Sequence, residues 1–342
     1  KVEENGWMDD DSLVSNDVTT TLSALILGLV FLLGVPGNLF VVWSIMARIR
    51  RHSVTSFLIL NLACADGFLM ALTIFFVIYL AKQSWIFGNP MCKILYYLCS
   101  TNMYASIFLI TLMSVHRLVA VVLPTKVSLI ASPRIAKRVV VGMWVLVFII
   151  SIPPLVFRNI REDEDEMGRP RMVCTPNHTI ASHYAFETVA GFILPYAVII
   201  TSYALILRRL RQTKFRRNIR SEKLILAIVV TFGLFWLPYH IINMIQVHEV
   251  NILVTAPLRW ESLTAAVTSR PHLSGAFISS CANPMLYTFA GKSYIRQNGF
   301  AFMARLFDGT ALDTVTKGGR NTNSENIMGP RDGARGHMNR YS

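Results

Sequence analysis

Seven long apolar stretches alternate with short polar segments along the 342-residue chain. Crossing the hydrocarbon of a bilayer takes about 20 mostly apolar residues in a helix, and each stretch provides about that many or more. The stretches cover residues 21–46, 56–79, 92–122, 139–157, 184–207, 224–247 and 265–289, about half of the chain. No segment between them is long enough for a separate core. The pattern therefore predicts an all-α membrane protein whose transmembrane domain is a bundle of seven helices.

Composition supports a membrane protein and excludes several other classes. Hydrophobic residues make up 53% of the chain and charged residues only 15%, whereas soluble domains carry about 25% charged residues. The mean hydropathy is +0.45. The net charge of +13 comes from short basic clusters between apolar stretches. No basic stripe is interleaved with aromatic residues, so we expect no nucleic-acid binding.

Loop charges predict the orientation of the bundle. The first 20 residues hold six acidic residues against Lys1, whereas residues 208–223 hold eight Lys or Arg against Glu222 alone. Basic loops stay in the cytoplasm. The N-terminus is therefore expected outside a plasma membrane and the C-terminus inside. Asn177 begins a glycosylation sequon on the predicted outer side, although such triplets also arise by chance.

Several motifs occur on the stretches in a fixed order. They are Gly37-Asn38, Asn61-Leu62-Ala63-Cys64-Ala65-Asp66, Cys92, His116-Arg117-Leu118, Trp144, Pro195 with Tyr203, Phe232, Phe235-Trp236-Leu237-Pro238, and Asn283-Pro284-Met285-Leu286-Tyr287. Each motif alone is weak evidence. Together, in this order and topology, they resemble the rhodopsin-like (class A) G-protein-coupled receptors.

A narrower resemblance rests on further segments. They are Met103-Tyr104-Ala105-Ser106, Phe186-Glu187 before Gly191-Phe192, Trp236-Leu237-Pro238-Tyr239-His240, Lys214-Phe215-Arg216-Arg217, and residues 304–310. These segments resemble leukotriene B4 receptors. The resemblance implies a receptor for a lipid mediator in chemotaxis and inflammation, acting through a heterotrimeric G protein of the inhibitory class.

The resemblance also implies an activation switch. Its residues would be Arg117, Tyr203, Phe232, Trp236, Pro238, Pro284 and Tyr287. The two prolines remove helix hydrogen bonds and can kink the sixth and seventh helices, which suits a hinge. Simpler interpretations remain: Arg117 as an interfacial cation, and Trp236 as ordinary core packing.

Asp66 is a carboxylate in the middle of an apolar stretch, where an unpaired charge is costly. The family resemblance implies a bound sodium ion at Asp66, with oxygens from Ser106 and Asn283, and hard cations prefer such oxygen ligands. The alternative is a protonated Asp66 hydrogen-bonded to Asn38 and Asn283. We expect no other cofactor.

The family resemblance pairs Cys92 with Cys174 in a disulfide on the outer side, where the environment permits one. The three other cysteines, at positions 64, 99 and 281, lie inside the apolar stretches. There we expect them to act as small apolar fillers.

Candidate ligand contacts lie toward the outer side. Amine receptors of this family carry an aspartate where this chain has Cys99, which argues against a monoamine ligand. The candidate contacts are Tyr96, Tyr104, Arg158, His183, Glu187, His240 and Arg270. Arg can hold a carboxylate through two hydrogen bonds, and Tyr and His can bind hydroxyls, so the set suits a hydroxylated fatty acid of the leukotriene B4 type.

Simpler roles for these side chains also stay open. Arg158 and His183 could be solvated helix ends. Glu187 lies within an apolar stretch and needs a polar partner, which could be Tyr104 or His240 instead of a ligand.

The chain divides into four predicted segments. Residues 1–20 form an extracellular segment and residues 21–291 the seven-helix domain. Residues 292–309 mix aromatic and basic side chains and read as an amphipathic eighth helix on the membrane surface. Residues 310–342 are polar and predicted to be disordered. Thr and Ser there could be phosphorylated to recruit arrestin, namely Thr310, Thr314, Thr316, Thr322 and Ser324.

Other ligands and other classes of membrane protein are alternatives to a leukotriene-type receptor. A receptor for another oxidised fatty acid or for a formyl-type peptide stays open. A transporter is disfavoured because no internal repeat or broken helix pair is visible, and a retinal pump would need a lysine in the last stretch, which has none. Neither an H-E-x-x-H nor a G-x-S-x-G motif occurs, so we expect no enzyme.

His116 stands directly before Arg117, at a position where the family resemblance implies an acid. Most of the family carries an acid before Arg117 that pairs with it at rest, and a histidine cannot supply that carboxylate. We predict that the natural protein has higher agonist-independent signalling than a His116→Asp variant. Basal GTP exchange in cells matched for receptor expression measures this, and equal basal activity would contradict it.

Overall fold

The computed structural model describes residues 10–48, 53–123, 132–164, 168–176, 181–212, 219–253 and 271–290. Across these ranges the chain is mainly helical. The α-helices are α1 (Asp10–Arg48), α2 (Val54–Lys82), α3 (Gly88–Val122), α4 (Pro133–Ile150), α5 (Pro153–Phe157), α6 (Ala181–Thr188), α7 (Leu194–Gln212), α8 (Ile219–Leu253) and α9 (Pro271–Ala290).

All seven predicted stretches fall on these helices. The fourth stretch corresponds to α4 and α5, the fifth to α6 and α7, and the seventh is described from Pro271 onward. Within the described ranges, five segments are long and apolar enough to cross a membrane: Thr20–Ala47, Val54–Lys82, Gly88–Val122, Pro133–Phe157 and Tyr184–Arg209. A shorter apolar helix covers Leu226–Ile241 on α8.

The helix α4 shows why the outer surface of the bundle suits lipid. Val140, Met143 and Val147 are buried against the bundle, whereas Val141 and Val145 expose 63% and 55% of their surface. Water disfavours an apolar face of this kind, but hydrocarbon does not. The helix therefore buries one apolar side in protein and offers the other to the bilayer.

The helix α3 lies at the centre of the bundle. Its buried side chains run from Cys92 near one end to Ala120 near the other, and it contacts α2, α4, α7 and α8. Leu95 belongs to the apolar cluster beneath the hairpin, and Ile110 to the larger cluster of the bundle. A single helix thus connects the region of the candidate ligand contacts with the region of Arg117.

A β-hairpin stands where the sequence predicts only helices and loop, so the all-α prediction is incomplete. Strand β1 (Arg158–Glu164) pairs antiparallel with β2 (Pro170–Pro176). In this register Asp163 faces Arg171, whose guanidinium binds the carboxylate at 2.6 Å. Charged residues dominate β1 and hide the usual alternation of apolar and polar side chains, which is why the sequence gives a weak strand signal.

The hairpin is fastened to α3 and to the segment before it. The predicted disulfide between Cys92 and Cys174 is present, with 5.8 Å between the Cα atoms. The Trp85 backbone N–H donates to the Met172 carbonyl at 2.8 Å, and the Asn89 side chain accepts from the Ile160 N–H at 3.1 Å. These bonds hold β1 and β2 across one end of the bundle.

The fifth span contains a wider helical turn. A π-helical turn, Val189–Ile193, joins α6 to α7 just before Pro195. Proline has no N–H for the usual helical hydrogen bond and crowds the preceding turn, and π-turns inside helices commonly occur at functional sites. This turn sets which side chains of the span face α3 and α8.

Candidate functional site

Arg158 lies at the point where α5 ends and β1 begins. Its guanidinium carbon sits 3.4 Å from the centre of the Tyr96 ring, and one of its nitrogens donates to the Cys174 carbonyl at 3.4 Å. Stacking of this kind stabilises the cation. The side chain is thus held in place by α3 and β2, and it is not a freely solvated helix end.

The charge of Arg158 acts on a group of polar side chains between the hairpin and the bundle. Tyr96, Cys99, Tyr184 and Glu187 all experience it electrostatically. Tyr96 and Cys99 come from α3, and Tyr184 and Glu187 from α6. The structure therefore brings these four residues and Arg158 to one region, although the sequence separates them by up to 91 positions.

Glu187 is buried and has a strong partner in α8. The Tyr239 hydroxyl donates to its carboxylate at 2.6 Å, a length typical of a charge-assisted hydrogen bond. The sequence favoured Tyr104 or His240 for this role, and the structure gives it to the neighbouring Tyr239. The bond ties the fifth span to the sixth two residues before the start of the π-turn.

His240 is the second link between these two spans. Its Nδ1 lies 3.3 Å from the Thr188 hydroxyl, and its ring stacks on Phe192 with centroids 4.5 Å apart. The opposite ring atom, Nε2, has no hydrogen-bond partner among the described residues. His240 therefore presents an apolar face to the π-turn and keeps one polar atom for another partner.

Tyr104 of α3 packs against the π-turn itself. A Cβ atom placed on Gly191 would lie 2.5 Å from Cε1 of the Tyr104 ring, so only glycine allows this approach. The side chain is buried, and its hydroxyl finds no hydrogen-bond partner within the described parts of the chain. A buried phenol usually has such a partner, so the Tyr104 hydroxyl keeps its hydrogen-bonding capacity for a group outside the described residues.

A second polar cluster surrounds Asp66 deeper in the bundle. Asp66 is fully buried, the Asn283 amide donates to its carboxylate at 2.7 Å, and the Ser106 hydroxyl donates at 3.4 Å. Asn38 donates to the backbone carbonyls of Gly34 and Ser280, at 3.0 and 3.3 Å. The predicted alternative placed Asn38 in a hydrogen bond with Asp66, and this is wrong because the Asn38 amide donates to backbone carbonyls. The side chains of Ser106 and Asn283 do converge on Asp66.

Three of the predicted switch residues, Tyr203, Phe232 and Trp236, belong to one buried cluster. The Phe232 and Trp236 rings stack with centroids 5.7 Å apart, and Pro238 lies inside the same helix. Tyr203 is buried. Pro284 lies within α9 and packs against Gly37 of α1, where a Cβ atom would come within 3.1 Å of the proline ring.

Several predicted positions fall outside what the structure describes. Arg270 and Asn177 are not among the described residues, and neither is the predicted eighth helix or tail. His183 lies in α6 and Tyr287 in α9, but their side chains are not described. Their predicted roles stay predictions.

Sequence reasoning missed one residue of the pocket, Tyr239. Its signal was its place in the segment Trp236-Leu237-Pro238-Tyr239-His240, one position before a predicted contact. Its pairing with Glu187 spans 52 positions and depends on the relative rotation of two helices. Only the folded arrangement shows that Tyr239 faces Glu187.

We predict that Tyr239→Phe destabilises the protein by about 1–3 kcal/mol, because it leaves a buried carboxylate with one donor fewer. In a Glu187→Gln background the same change should cost less, since a neutral amide needs the phenol less. Thermal unfolding of the purified protein in detergent measures both effects. Additive losses would show that the two side chains are not coupled.

Comparison with known proteins agrees with this architecture. A model of the seven-transmembrane receptors of the rhodopsin family matches residues 37–287. Leukotriene B4 receptor 1 of Homo sapiens is 36% identical over 296 residues, covering 85% of this chain and 83% of that receptor. Leukotriene B4 receptor 2 of Rattus norvegicus is 33% identical over 328 residues, covering 94% and 90%. The C3a anaphylatoxin chemotactic receptor of Danio rerio is 29% identical over 325 residues, covering 93% and 85%. The chain therefore belongs to the rhodopsin family of seven-transmembrane receptors and is a relative of the leukotriene B4 receptors.

Proposed function

We propose that this receptor binds an extracellular hydroxylated fatty acid of the leukotriene B4 type and signals through a heterotrimeric G protein. The main support is the stacking of Arg158 on Tyr96, close to the buried hydrogen-bonded pair of Glu187 and Tyr239. The leukotriene B4 receptor relatives favour the same ligand class. No step of the proposal makes or breaks a covalent bond, so it describes a receptor and not an enzyme.

Arg158 is the proposed partner of the ligand carboxylate. Stacking on Tyr96 uses the flat face of the guanidinium, and the N–H groups lie in its plane. One nitrogen donates to the Cys174 carbonyl, and the fork retains further donors for an anion. Arg is suited to this task because its geometry matches a carboxylate at two points.

The hydroxyl groups of the ligand would meet Tyr104, Glu187 and His240. Tyr104 and His240 each hold a buried polar atom without a partner among the described residues. A carboxylate at Glu187 would repel the acid head of the ligand, so its proposed role is to accept a hydrogen bond from a hydroxyl. Aromatic side chains such as Phe192 and Trp236 supply apolar surface for the acyl chain.

Signalling requires that the ligand prefer one conformation of the receptor. Tyr239 and His240 belong to the same helix as Phe232, Trp236 and Pro238. Contacts made by a ligand at the first two can therefore bias the hinge at the proline. We propose that the shifted helix uncovers Arg117 for a G protein of the inhibitory class.

The proposed location and orientation of the chain in the membrane follow from its family and its loop charges. The chain is a multi-pass membrane protein of its family. We place it in the plasma membrane with residues 1–20 outside and the C-terminus inside, because the basic loops follow the first, third and fifth spans. Residues 292–309 would lie on the inner surface, phosphorylated residues of 310–342 would recruit arrestin, and Asn177 would carry a glycan. Reaction of tags at the two termini in intact cells tests this orientation.

The Asp66 cluster fits a sodium ion. Its carboxylate and the oxygens of Ser106 and Asn283 are hard donors, and Asn102 adds a buried carbonyl oxygen with no partner among the described residues. In the described part of the chain no group of three His, Cys, Asp or Glu could hold another metal. A cation here would bind α2, α3 and α9 together and neutralise Asp66.

Asp66→Asn should make agonist affinity independent of sodium, because the site loses its charged ligand. In the natural protein, replacing N-methylglucamine by sodium at constant ionic strength should weaken agonist binding several-fold. Competition binding in the two salts measures the effect. Sodium independence of the natural protein would contradict a sodium site.

The main test is GTP exchange on membranes that contain the receptor and an inhibitory G protein. Leukotriene B4, other oxidised fatty acids and chemoattractant peptides form the panel. Peptides are included because a receptor for a formyl-type chemoattractant peptide is the second candidate, and the relatives of this chain include a chemotactic receptor for the C3a anaphylatoxin. A response to leukotriene B4 supports the proposal, whereas silence toward it and a response to a peptide would overturn the ligand assignment.

Arg158→Ala should weaken acid agonists by at least tenfold and their methyl esters much less, since only the acid gains from the guanidinium. Arg161→Ala is the matched control. Arg161 lies on the same strand and its side chain bonds Thr175. Concentration–response curves for acid and ester give the comparison, and equal losses for both would argue against carboxylate pairing.

A further inference from the structure

Tyr196 connects the fifth and sixth spans at a point below the pocket. It follows Pro195 in α7, and its hydroxyl donates to the backbone carbonyl of Val229 in α8 at 3.2 Å. A regular helix already uses that carbonyl for the N–H four residues later, which belongs to Gly233. A carbonyl oxygen has two lone pairs, so the phenol can share it.

Gly233 is the residue that makes this bond geometrically possible. To reach the carbonyl of Val229, the Tyr196 ring crosses the place where a side chain of residue 233 would stand. A Cβ atom on Gly233 would overlap the phenol oxygen and would lie 2.7 Å from the ring carbon that carries it. Any other residue here must push the ring away.

The contact holds one arm of the proposed hinge. Pro238 lies inside α8, and Val229 and Gly233 both precede it, in the half that the proposed topology places toward the cytoplasm. Above the contact, the Tyr196 ring stacks on Phe192 with centroids 5.2 Å apart. The tyrosine therefore joins the π-turn of the pocket to the arm of α8 that would move.

The structure shows this contact together with a covered Arg117. The side chain of Arg117 is buried, with only 8% of its surface exposed, so the structure does not offer this side chain to a G protein, and we take it as the closed arrangement. The bond between Tyr196 and Val229 thus belongs to the closed arrangement, and its loss would remove a contribution to the stability of that arrangement.

We propose that Tyr196 is a positioning residue that holds the inner arm of α8 in the closed state, through its hydrogen bond to Val229 and its seat on Gly233. This inference rests on the proposed signalling function but not on the identity of the ligand. Tyr196 is neither a proposed ligand contact nor a predicted switch residue, and the proposal gives it a share in setting basal activity.

The test is agonist-independent GTP exchange on membranes with equal amounts of receptor and an inhibitory G protein. Tyr196→Phe removes only the hydroxyl and should raise basal exchange by about two- to tenfold, the range expected for one intramolecular hydrogen bond. Gly233→Ala should raise it as well, because the new methyl group displaces the ring. Both variants should still respond to agonist.

Two matched controls separate this role from general damage. Tyr97→Phe removes a bond of the same type, from a tyrosine of α3 to the Phe148 carbonyl of α4 at 3.3 Å, away from the hinge. Gly142→Ala adds a methyl group where, among the described residues, no atom outside its own stretch of helix backbone lies within 4 Å. Basal exchange should stay at the natural level in both.

Basal exchange at or below the natural level in Tyr196→Phe would overturn the proposal, and so would an equal rise in Tyr97→Phe. If Tyr196→Phe fails to reach the membrane, Gly233→Ala decides by the same criteria.

If no receptor activates the G protein, the signalling function fails instead. Spin labels at the exposed positions Val122 and Leu226 then measure the arm directly: Tyr196→Phe should enlarge the long-distance population, and unchanged distances would refute the role of Tyr196.

Discussion

The absence of water inside a bilayer is the constraint on which this structure depends. A polar group in hydrocarbon must find its partner within the protein. Asp66 has Asn283 and Ser106, and Glu187 has Tyr239. Because each pair joins different helices, satisfying these groups also fixes how the helices are rotated and which side chains face the interior. The bonds that permit burial of these groups therefore also shape the candidate sites.

The contacts between the hairpin, the pocket and the hinge are arranged in layers along the bundle. Arg158 and the hairpin form the outer layer, the Glu187 and Tyr239 pair lies with the π-turn below it, and Tyr196 and the stacked Phe232 and Trp236 come next. The sixth span takes part in every layer but the first. A ligand that changes its contacts with Tyr239 or His240 acts on the helix that also carries the hinge, so no long chain of intermediates is needed to connect pocket and hinge.

The seven-span architecture and the approach of Ser106 and Asn283 to Asp66 could be predicted from the sequence, because apolar length is a local property and the motifs identify the family. Asn38 was wrong as a partner of Asp66, because its amide donates to backbone carbonyls instead. The disulfide followed from the same resemblance. Tyr239 could not be predicted as the partner of Glu187, since its position relative to α6 depends on helix rotation. The hairpin was missed because Glu162, Asp163 and Glu164 obscure the strand pattern. The sequence gives no reason to single out Gly233, because its role depends on the Tyr196 ring that packs against its backbone.

The most direct measurement is saturation binding of tritiated leukotriene B4 to the purified receptor in lipid nanodiscs, with unlabelled leukotriene B4, its methyl ester and a formyl peptide as competitors. A receptor whose pocket joins Arg158 to a buried polar pair should show one saturable class of sites. The acid should displace the label at much lower concentration than the ester, and the peptide should not displace it. Absence of saturable binding, or equal competition by acid and ester, would contradict a carboxylate-binding lipid receptor.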